Sequence, residues 1–522
     1  MACTRRSRSA VGWRCQRSEV SLPTPSPVSR AAQPIAQMMR ALRGTDASLS
    51  FPEEWLAPLR GLLLEELLHL RSGLPRLRDT LRGRGGTDAL RVCFLGGSVT
   101  EQRNGYRPRL GKWLAGAAAA AGVQFEEVPA FCGNCGSKVL AFMIADWVVA
   151  RRPQLVFVEL AINDGDTLLE SSDEEGVGAA MEGIVRHVRD ALPRCEICML
   201  HMFVRDDLPL HLRSGTKAWA DNEDVAAALT YHERVPELHG RVCERYGIPS
   251  ISLSPLMARV PSSLRSLIFR DDCHFNDNGA AFVATALCAA LRSVLDCGGA
   301  TTNLALSLPP PVHKRPWGRG RTEEVSPQQL SFFYVKPPDD PAERQAMSAR
   351  LLQRHTQLDM DPLNNAARKP WWLLYAGDHA QLRFSGTRLG FLTMVGPDAG
   401  IVSCEVDGGA YRSRVCLLDK WAYYWRLAVV GLVDALPPGQ HHAVVRFEHE
   451  RPDASILKKR PSGSHWESFR REGKDHKLWL MHWLIEEEGE LERAVALSGR
   501  GSQLTMGRLG GSGPTTGGRK AD

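Results

Sequence analysis

RVCFLGGSVT, residues 91–100, decides the fold. An apolar run with no polar alternation, ending in two glycines and a serine, reads as a strand buried on both faces that stops at a tight turn. From about residue 88 to 298 the pattern repeats. Strands are expected at Ala89–Leu95, Gln124–Phe131, Leu155–Ala161, Glu196–Phe203 and Pro249–Leu253. Helices are expected at Arg107–Ala121, Leu140–Ala150, Gly178–Ala191, Ala226–Tyr246 and Ala280–Leu295. Alternating buried strands and helices make a parallel sheet covered on both faces, and right-handed crossovers make it a three-layer α/β/α domain.

Outside that block the chain changes character. Residues 1–50 hold eight Arg against Glu19 and Asp46, which is the whole +6 net charge; the other 472 residues carry 57 basic and 57 acidic groups. A neutral body argues against nucleic-acid binding, which rests on phosphate neutralisation. The first 50 residues read as a disordered basic tail. Their Arg- and Ser-rich, acid-poor composition is that of a transit peptide, of a plain tail or of a misassigned gene start, and no secretory h-region is visible. Residues 51–87 are a Leu-dense helical lead-in, one amphipathic helix or two, broken near Gly73 and Pro75. Residues 299–365, with Pro309-Pro310-Pro311 and Pro337-Pro338, read as a linker. Residues 366–488 switch to short strands and Gly/Pro turns, an all-β domain of sandwich or jelly-roll type. Residues 489–522 are expected to be a disordered tail; eight Gly fall in 499–522. No run of 18 apolar residues suggests a transmembrane helix.

The chemistry-bearing residues fall at strand ends. Ser98 follows the first strand, at the carboxyl edge where open α/β sheets place their sites. FCGNCGS, residues 131–137, follows the second strand, and its glycines allow close backbone approach and free N–H groups. AIND, residues 161–164, follows the third and offers the Asn163 amide. In DDCHFNDNG, residues 271–279, Asp271 and His274 are three apart before the last helix, a spacing at which a carboxylate can hold Nδ1–H while Nε2 faces a nucleophile. Each element alone is ordinary turn chemistry. Their shared position at strand-to-helix junctions is what points to a site.

GGSVT, FCGNCGS, AIND and the Asp-x-x-His pair resemble the four sequence blocks of the SGNH (GDSL-like) hydrolases, over roughly 40% of the chain. That resemblance implies a three-layer α/β/α esterase, lipase, thioesterase or carbohydrate deacetylase. It implies Ser98 as nucleophile, His274 as general base and acid, and Asp271 as the group orienting the imidazole. The oxyanion hole would combine the N–H of Ser98, the N–H of Gly133 and the side chain of Asn163, with Asn134 or Gly136 as alternatives to Gly133. Two residues depart from the pattern: Gly97 stands where Asp is frequent, and Ala161 where Gly is usual.

Competing motifs fail. Thr100 stands where a nucleophile elbow needs Gly. Gly105–Lys112 has one residue too many for a P-loop. The pairs Cys132/Cys135 and Cys195/Cys198 lie about 60 residues apart, outside zinc-ribbon spacing. No metal and no cofactor are expected. Trp421, Tyr423, Tyr424 and Trp425, with Trp371, Trp372, Trp479 and Trp483, either fill the β core or stack on sugar rings. The expected function is hydrolysis of an acyl ester through an acyl-enzyme, with a carbohydrate O-acetyl group as candidate substrate by analogy. A non-catalytic glycan-binding protein on the same fold and an acyltransferase to a glycan are the alternatives.

Overall fold

The structure, a computed structural model, describes residues 34–45, 49, 51–204, 222–271, 273–296, 308–324, 372–419, 422, 426–457 and 477–487. Six strands form one sheet: β1 (Leu68–His69), β2 (Ala89–Gly96), β3 (Gln124–Phe131), β4 (Leu155–Glu159), β5 (Glu196–His201) and β6 (Ser250–Ser252), in the order β1-β6-β5-β4-β2-β3. All neighbours from β2 to β6 run parallel; only the two-residue edge strand β1 is antiparallel. The chain leaves β2 for the edge at β3 and returns on the other side at β4. The order therefore reverses between β2 and β4, and the crevice beyond their carboxyl ends is the place where such sheets bind ligands.

The central strands β2, β4 and β5 are mostly apolar because both of their faces are covered, whereas β3 at the sheet edge is half exposed. Along β2, Leu90, Val92 and Phe94 enter one core, with Leu110 and Leu114 of α3 (Tyr106–Ala120) and Phe282 of α8 (Asp277–Asp296). Cys93 and Leu95 enter the other, with Ile184 and Val188 of α6 (Glu174–Ala191). One residue of register thus separates the two faces. Helix α8 is long and apolar enough to cross a bilayer, and 83% of that stretch is buried inside the protein. The remaining labelled helices are α1 (Ile35–Thr45), α2 (Ser98–Glu101), α4 (Ser137–Leu140), α5 (Ala161–Ser171) and α7 (Asn222–Tyr246).

Four expectations need correction. Residues 1–50 are not all tail: Ile35, Met39 and Leu42 of α1 form a stripe at steps of four and three, fully buried in the α8-side core. Trp55 stacks edge-on against Phe282 in the same core, with ring centroids 5.5 Å apart. Secondly, the lead-in is not one or two amphipathic helices. It breaks into a 3₁₀ turn (Glu53–Leu59), a single helical turn (Leu64–Leu67), β1 and a two-turn helix (Pro75–Leu81). Buried Glu196 terminates that path, accepting hydrogen bonds from the N–H groups of Arg76 (2.7 Å) and Leu77 (2.8 Å) at the helix start. Thirdly, part of the segment read as linker is a strand, β7 (Arg319–Glu324). The stretch expected as one helix over 140–150 is instead a chain of α, 3₁₀ and π turns from Ser137 to Arg151.

The C-terminal strands are β8 (Trp372–Tyr375), β9 (His379–Ser385), β10 (Arg388–Val395), β11 (Ile401–Val406), β12 (Tyr411–Cys416), β13 (Arg426–Val433), β14 (Gln440–Phe447) and β15 (Lys477–Glu487). They make two antiparallel sheets, β13-β10-β15-β7 with β8 also on β15, and β12-β11-β14-β9. Leu382, Val402 and Val445 of one sheet meet Phe391, Leu432 and Trp483 of the other in a common core, so the domain is an all-β sandwich. Outer strands β9 and β14 alternate buried and exposed residues, whereas β10 is buried at every position. The second face of β10 and β15, through Leu392, Met394, Trp479 and Leu484, packs into the α/β domain's core beside Phe142 and Trp317. Trp479 and Trp483 are thus core residues. Trp371, Trp421, Tyr423, Tyr424 and Trp425 lie outside the described residues, as does 489–522.

If α1 is structural, Met39→Ala should cost about 2–5 kcal/mol of stability. Urea unfolding of the full chain measures this, and an unchanged midpoint would return α1 to the tail.

Candidate active site

Ser98 is the first residue of α2, directly after β2 and Gly97. The loop before α8 brings His274 to it, with Nε2 2.8 Å from the Ser98 Oγ across 176 residues of sequence. Behind the ring, Nδ1 lies 2.9 and 3.0 Å from the two carboxylate oxygens of Asp271. That carboxylate is itself held by its own loop: the N–H groups of Cys273 (3.1 Å) and His274 (2.8 Å) donate to Oδ1. Burial would raise the Asp271 pKa, but the hydrogen bonds and charge of His274 outweigh it and hold the carboxyl well below the usual carboxylate range. With Nδ1–H directed at Asp271, Nε2 is an acceptor for the Ser98 hydroxyl.

Gln102 ties the Ser98 turn to the His274 loop. Its side chain donates to the carbonyl of Phe275 (3.0 Å) and accepts from the Phe275 N–H (3.3 Å). The sequence carries no signal for this clamp, since the partner is backbone.

The second and third blocks close around the same spot. A Cβ at Gly97 would lie 1.8 Å from the Asn163 Oδ1, so a larger residue there would require the Asn163 side chain to move. Asn163 sits in the first turn of α5 with its side chain almost wholly buried. Gly133 borders Ser98, its missing Cβ position being 3.6 Å from the Ser98 Cβ and 2.8 Å from the Glu101 carboxylate. Asn134 has a left-handed backbone, φ 62°. Gly136 faces Asp164 and the Asn163 carbonyl carbon. Ser98, Gly133, Asn163, Asp271 and His274 therefore meet at one sheet edge.

Two buried carboxyl groups were not singled out from sequence. Asp164 follows Asn163 and has no exposed side-chain surface. It accepts from the Ser137 N–H (2.7 Å) and hydroxyl (3.0 Å) and lies 3.0 Å from Nε2 of His239 on α7. It thereby ties the second block to the third. Glu159, at the end of β4, accepts from Thr100 Oγ1 (3.0 Å), whose hydroxyl also meets Tyr106 Oη (2.9 Å). Burial pushes the Glu159 pKa up to about 7; the Thr100 hydrogen bond opposes this and nearby Asp164 adds to it. Lys138, in the first turn after the second block, pairs with Asp173 (2.9 Å) and with Asp434 of the β domain (3.1 Å). Burial would lower its pKa, but the two carboxylates outweigh that and raise it.

Cys132 and Cys135 are buried thiols with no disulfide between them, as are Cys195 and Cys198. Residues 205–221, which follow β5 at the same edge of the sheet, lie outside the described residues.

The fold is an α/β/α domain with a candidate site at the carboxyl edge of its sheet. The model of the GDSL-like lipase/acylhydrolase family matches residues 94–282, and this part of the chain is a GDSL-like acylhydrolase domain. No curated protein matches the sequence. Among solved structures, a two-domain esterase (CEX) active on acetylated mannans, solved twice and once co-crystallised with mannopentaose, is similar at a TM-score of 0.57 and 18% identity. That alignment covers 81% of this chain and 98% of the esterase, so the likeness in fold runs through both domains. A catalytic mutant of Axe2, an acetylxylan esterase from Geobacillus stearothermophilus, aligns over 40% of this chain and 95% of its own at 14% identity and a TM-score of 0.30.

Glu159 gives a signed pH prediction. Its folded pKa of about 7 lies above the ordinary 4.5, so the native state holds a proton that the unfolded chain releases. Stability from this group is full below about pH 4.5 and is lost as pH rises through 7, by about 3 kcal/mol in all. Glu159→Gln should flatten that loss. Thermal melts of both proteins from pH 5 to 8 should converge at the acid end and separate, with the variant more stable, at the alkaline end.

Proposed function

We propose that this chain is a serine esterase that removes an acyl group from an acylated carbohydrate, acetyl being the candidate acyl group. The observation that carries the reading is the Ser98–His274–Asp271 chain of hydrogen bonds at the sheet's switch point. In the proposed reaction the Ser98 Oγ attacks the ester carbonyl carbon while its proton passes to Nε2 of His274. The resulting imidazolium is stabilised through Nδ1–H by Asp271. Negative charge on the carbonyl oxygen is met by the N–H groups of Ser98 and Gly133 and by the Asn163 amide. The intermediate collapses as His274 returns the proton to the leaving alcohol, which leaves an acyl-serine. Water, deprotonated by His274, then attacks the acyl-serine and releases the carboxylic acid and free Ser98.

The carbohydrate part of the proposal is supported by the shared two-domain architecture with the esterase active on acetylated mannans. The β sandwich packs beside the strand-end edge, and Asp434 reaches the helix that follows the second block.

Labelling with a fluorophosphonate tests the nucleophile without a known substrate. Wild type should label and Ser98→Ala should not. Asn163→Ala should retain labelling but lose about 100-fold or more in turnover of short-chain acetyl esters, the usual effect of removing one oxyanion donor. Acetate release from acetylated mannan, measured beside a lipid ester, tests the substrate class. A folded wild type that neither labels nor turns over would transfer the reading to a glycan-binding protein.

A further inference from the structure

One thiol at the site has no part in the proposed hydrolysis. Cys273 lies between Asp271 and His274, partly exposed, and its Sγ is 3.5 Å from the Nδ1 of His274. A carboxylate oxygen of Asp271, this sulfur and that nitrogen all lie within 4.8 Å of one another. These are the three donor types of a zinc site. Zn–S and Zn–N bonds of about 2.3 and 2.0 Å at a tetrahedral angle put sulfur and nitrogen about 3.5 Å apart. The observed separation is already that edge. The nitrogen–oxygen edge of such a site is about 3.3 Å, against 3.0 Å between Nδ1 and Oδ2 here, so the pair need open by only a few tenths of an ångström. Oδ1 is occupied by two backbone N–H groups, which leaves Oδ2 as the ligand. Its other neighbour, the Arg270 guanidinium at 3.6 Å, is on a mostly exposed side chain that can turn away.

We propose that Asp271 Oδ2, Cys273 Sγ and His274 Nδ1 form an inhibitory site for a thiophilic divalent cation, Zn²⁺ foremost, with water in the fourth position. This departs from the expectation of no metal. As inhibition it rests on the esterase reading; as binding it does not. Nδ1 has one lone pair to give. To bind the ion it must surrender its proton, so the imidazole takes the tautomer with the proton on Nε2. That nitrogen then donates to the Ser98 Oγ and no longer accepts from it. The nucleophile loses its base, and Asp271, now a ligand, no longer receives Nδ1–H. The thiol gives up its proton to form Zn–S, while the imidazole proton is exchanged through solvent from Nδ1 to Nε2. One proton is therefore released per ion bound at a pH where the thiol is protonated. Hard cations such as Mg²⁺ prefer oxygen ligands and should not act.

The test uses the full chain, freed of metal by a chelator. Zn²⁺ should inhibit fluorophosphonate labelling and ester turnover, chelator should restore both, and Mg²⁺ should do nothing. Cys273→Ser should need about tenfold or more Zn²⁺ for the same fractional inhibition of its own activity. Cys273→Ala serves if the serine variant folds poorly. Binding is read independently of activity with Co²⁺, whose thiolate charge-transfer band should appear in wild type, survive in Cys416→Ser and vanish in Cys273→Ser. A cobalt–thiolate band at Cys273 in a protein without esterase activity would uphold the site and sink the inhibition. Equal Zn²⁺ sensitivity in wild type and Cys273→Ser, or a band that survives loss of Cys273, would overturn the proposal.

Discussion

A carboxyl group with no exposed surface must find its hydrogen bonds inside the protein, and Asp164 finds them in two other stretches of chain, so that three stretches are tied together. The Ser137 N–H and hydroxyl come from the turn after β3, His239 from α7, and Asp164 itself from the turn after β4. An unmet buried polar group costs of the order of 1–3 kcal/mol, so these segments are held in one arrangement. That arrangement sets where the glycine-rich second block stands relative to Asn163, and with it the shape of the cleft in front of Ser98. At the end of β4, Thr100, Tyr106 and Glu159 make a second buried hydrogen-bonded cluster. The Ser98 turn thus lies beside two buried hydrogen-bond networks, and Gln102 ties it to the His274 loop as well.

The legible parts of the molecule were those where one physical cause dominated. Strands β2, β4 and β5 are covered on both faces, so apolar side chains dominate there and the runs are unmistakable. The strand-end residues Ser98, Asn163, Asp271 and His274 stood out because their types make little sense as core. What the sequence hid is contextual. Helix α1 contributes Ile35, Met39 and Leu42, three apolar residues whose signal is diluted by the arginines around them. Strand β7, RGRTEE, has no apolar residue and is a strand only because β15 offers it a partner. Asp164 and Glu159 read as ordinary acids until burial is known. The turns from Ser137 to Arg151 carry helical composition, yet the chain there follows the sandwich packed against it.

The two domains are joined by an apolar layer with a few polar fasteners. Buried Glu486 of β15 accepts from Thr387 (2.9 Å), pairs with Arg388 and takes the N–H of Gly318, while the Arg388 guanidinium lies 4.4 Å over the Trp317 ring. Trp317 belongs to the α/β core through Phe142. A sandwich attached this firmly behaves as part of the wall of the catalytic domain. The Lys138–Asp434 pair carries that attachment to within one helical turn of the second block.

The long β15 pairs at once with β7, β8 and β10, strands drawn from before and within the sandwich. It is also the last strand described in the chain. During synthesis, therefore, the α/β domain can complete its own sheet well before the sandwich can. Until β15 emerges, β7 and β8 lack the strand that pairs with them among the described residues, and the β15 part of the apolar face beside Phe142 is missing. The order in which the ribosome delivers the chain leaves the nascent protein with a finished sheet and an unfinished wall. Truncation ahead of residue 477 would leave that state permanent.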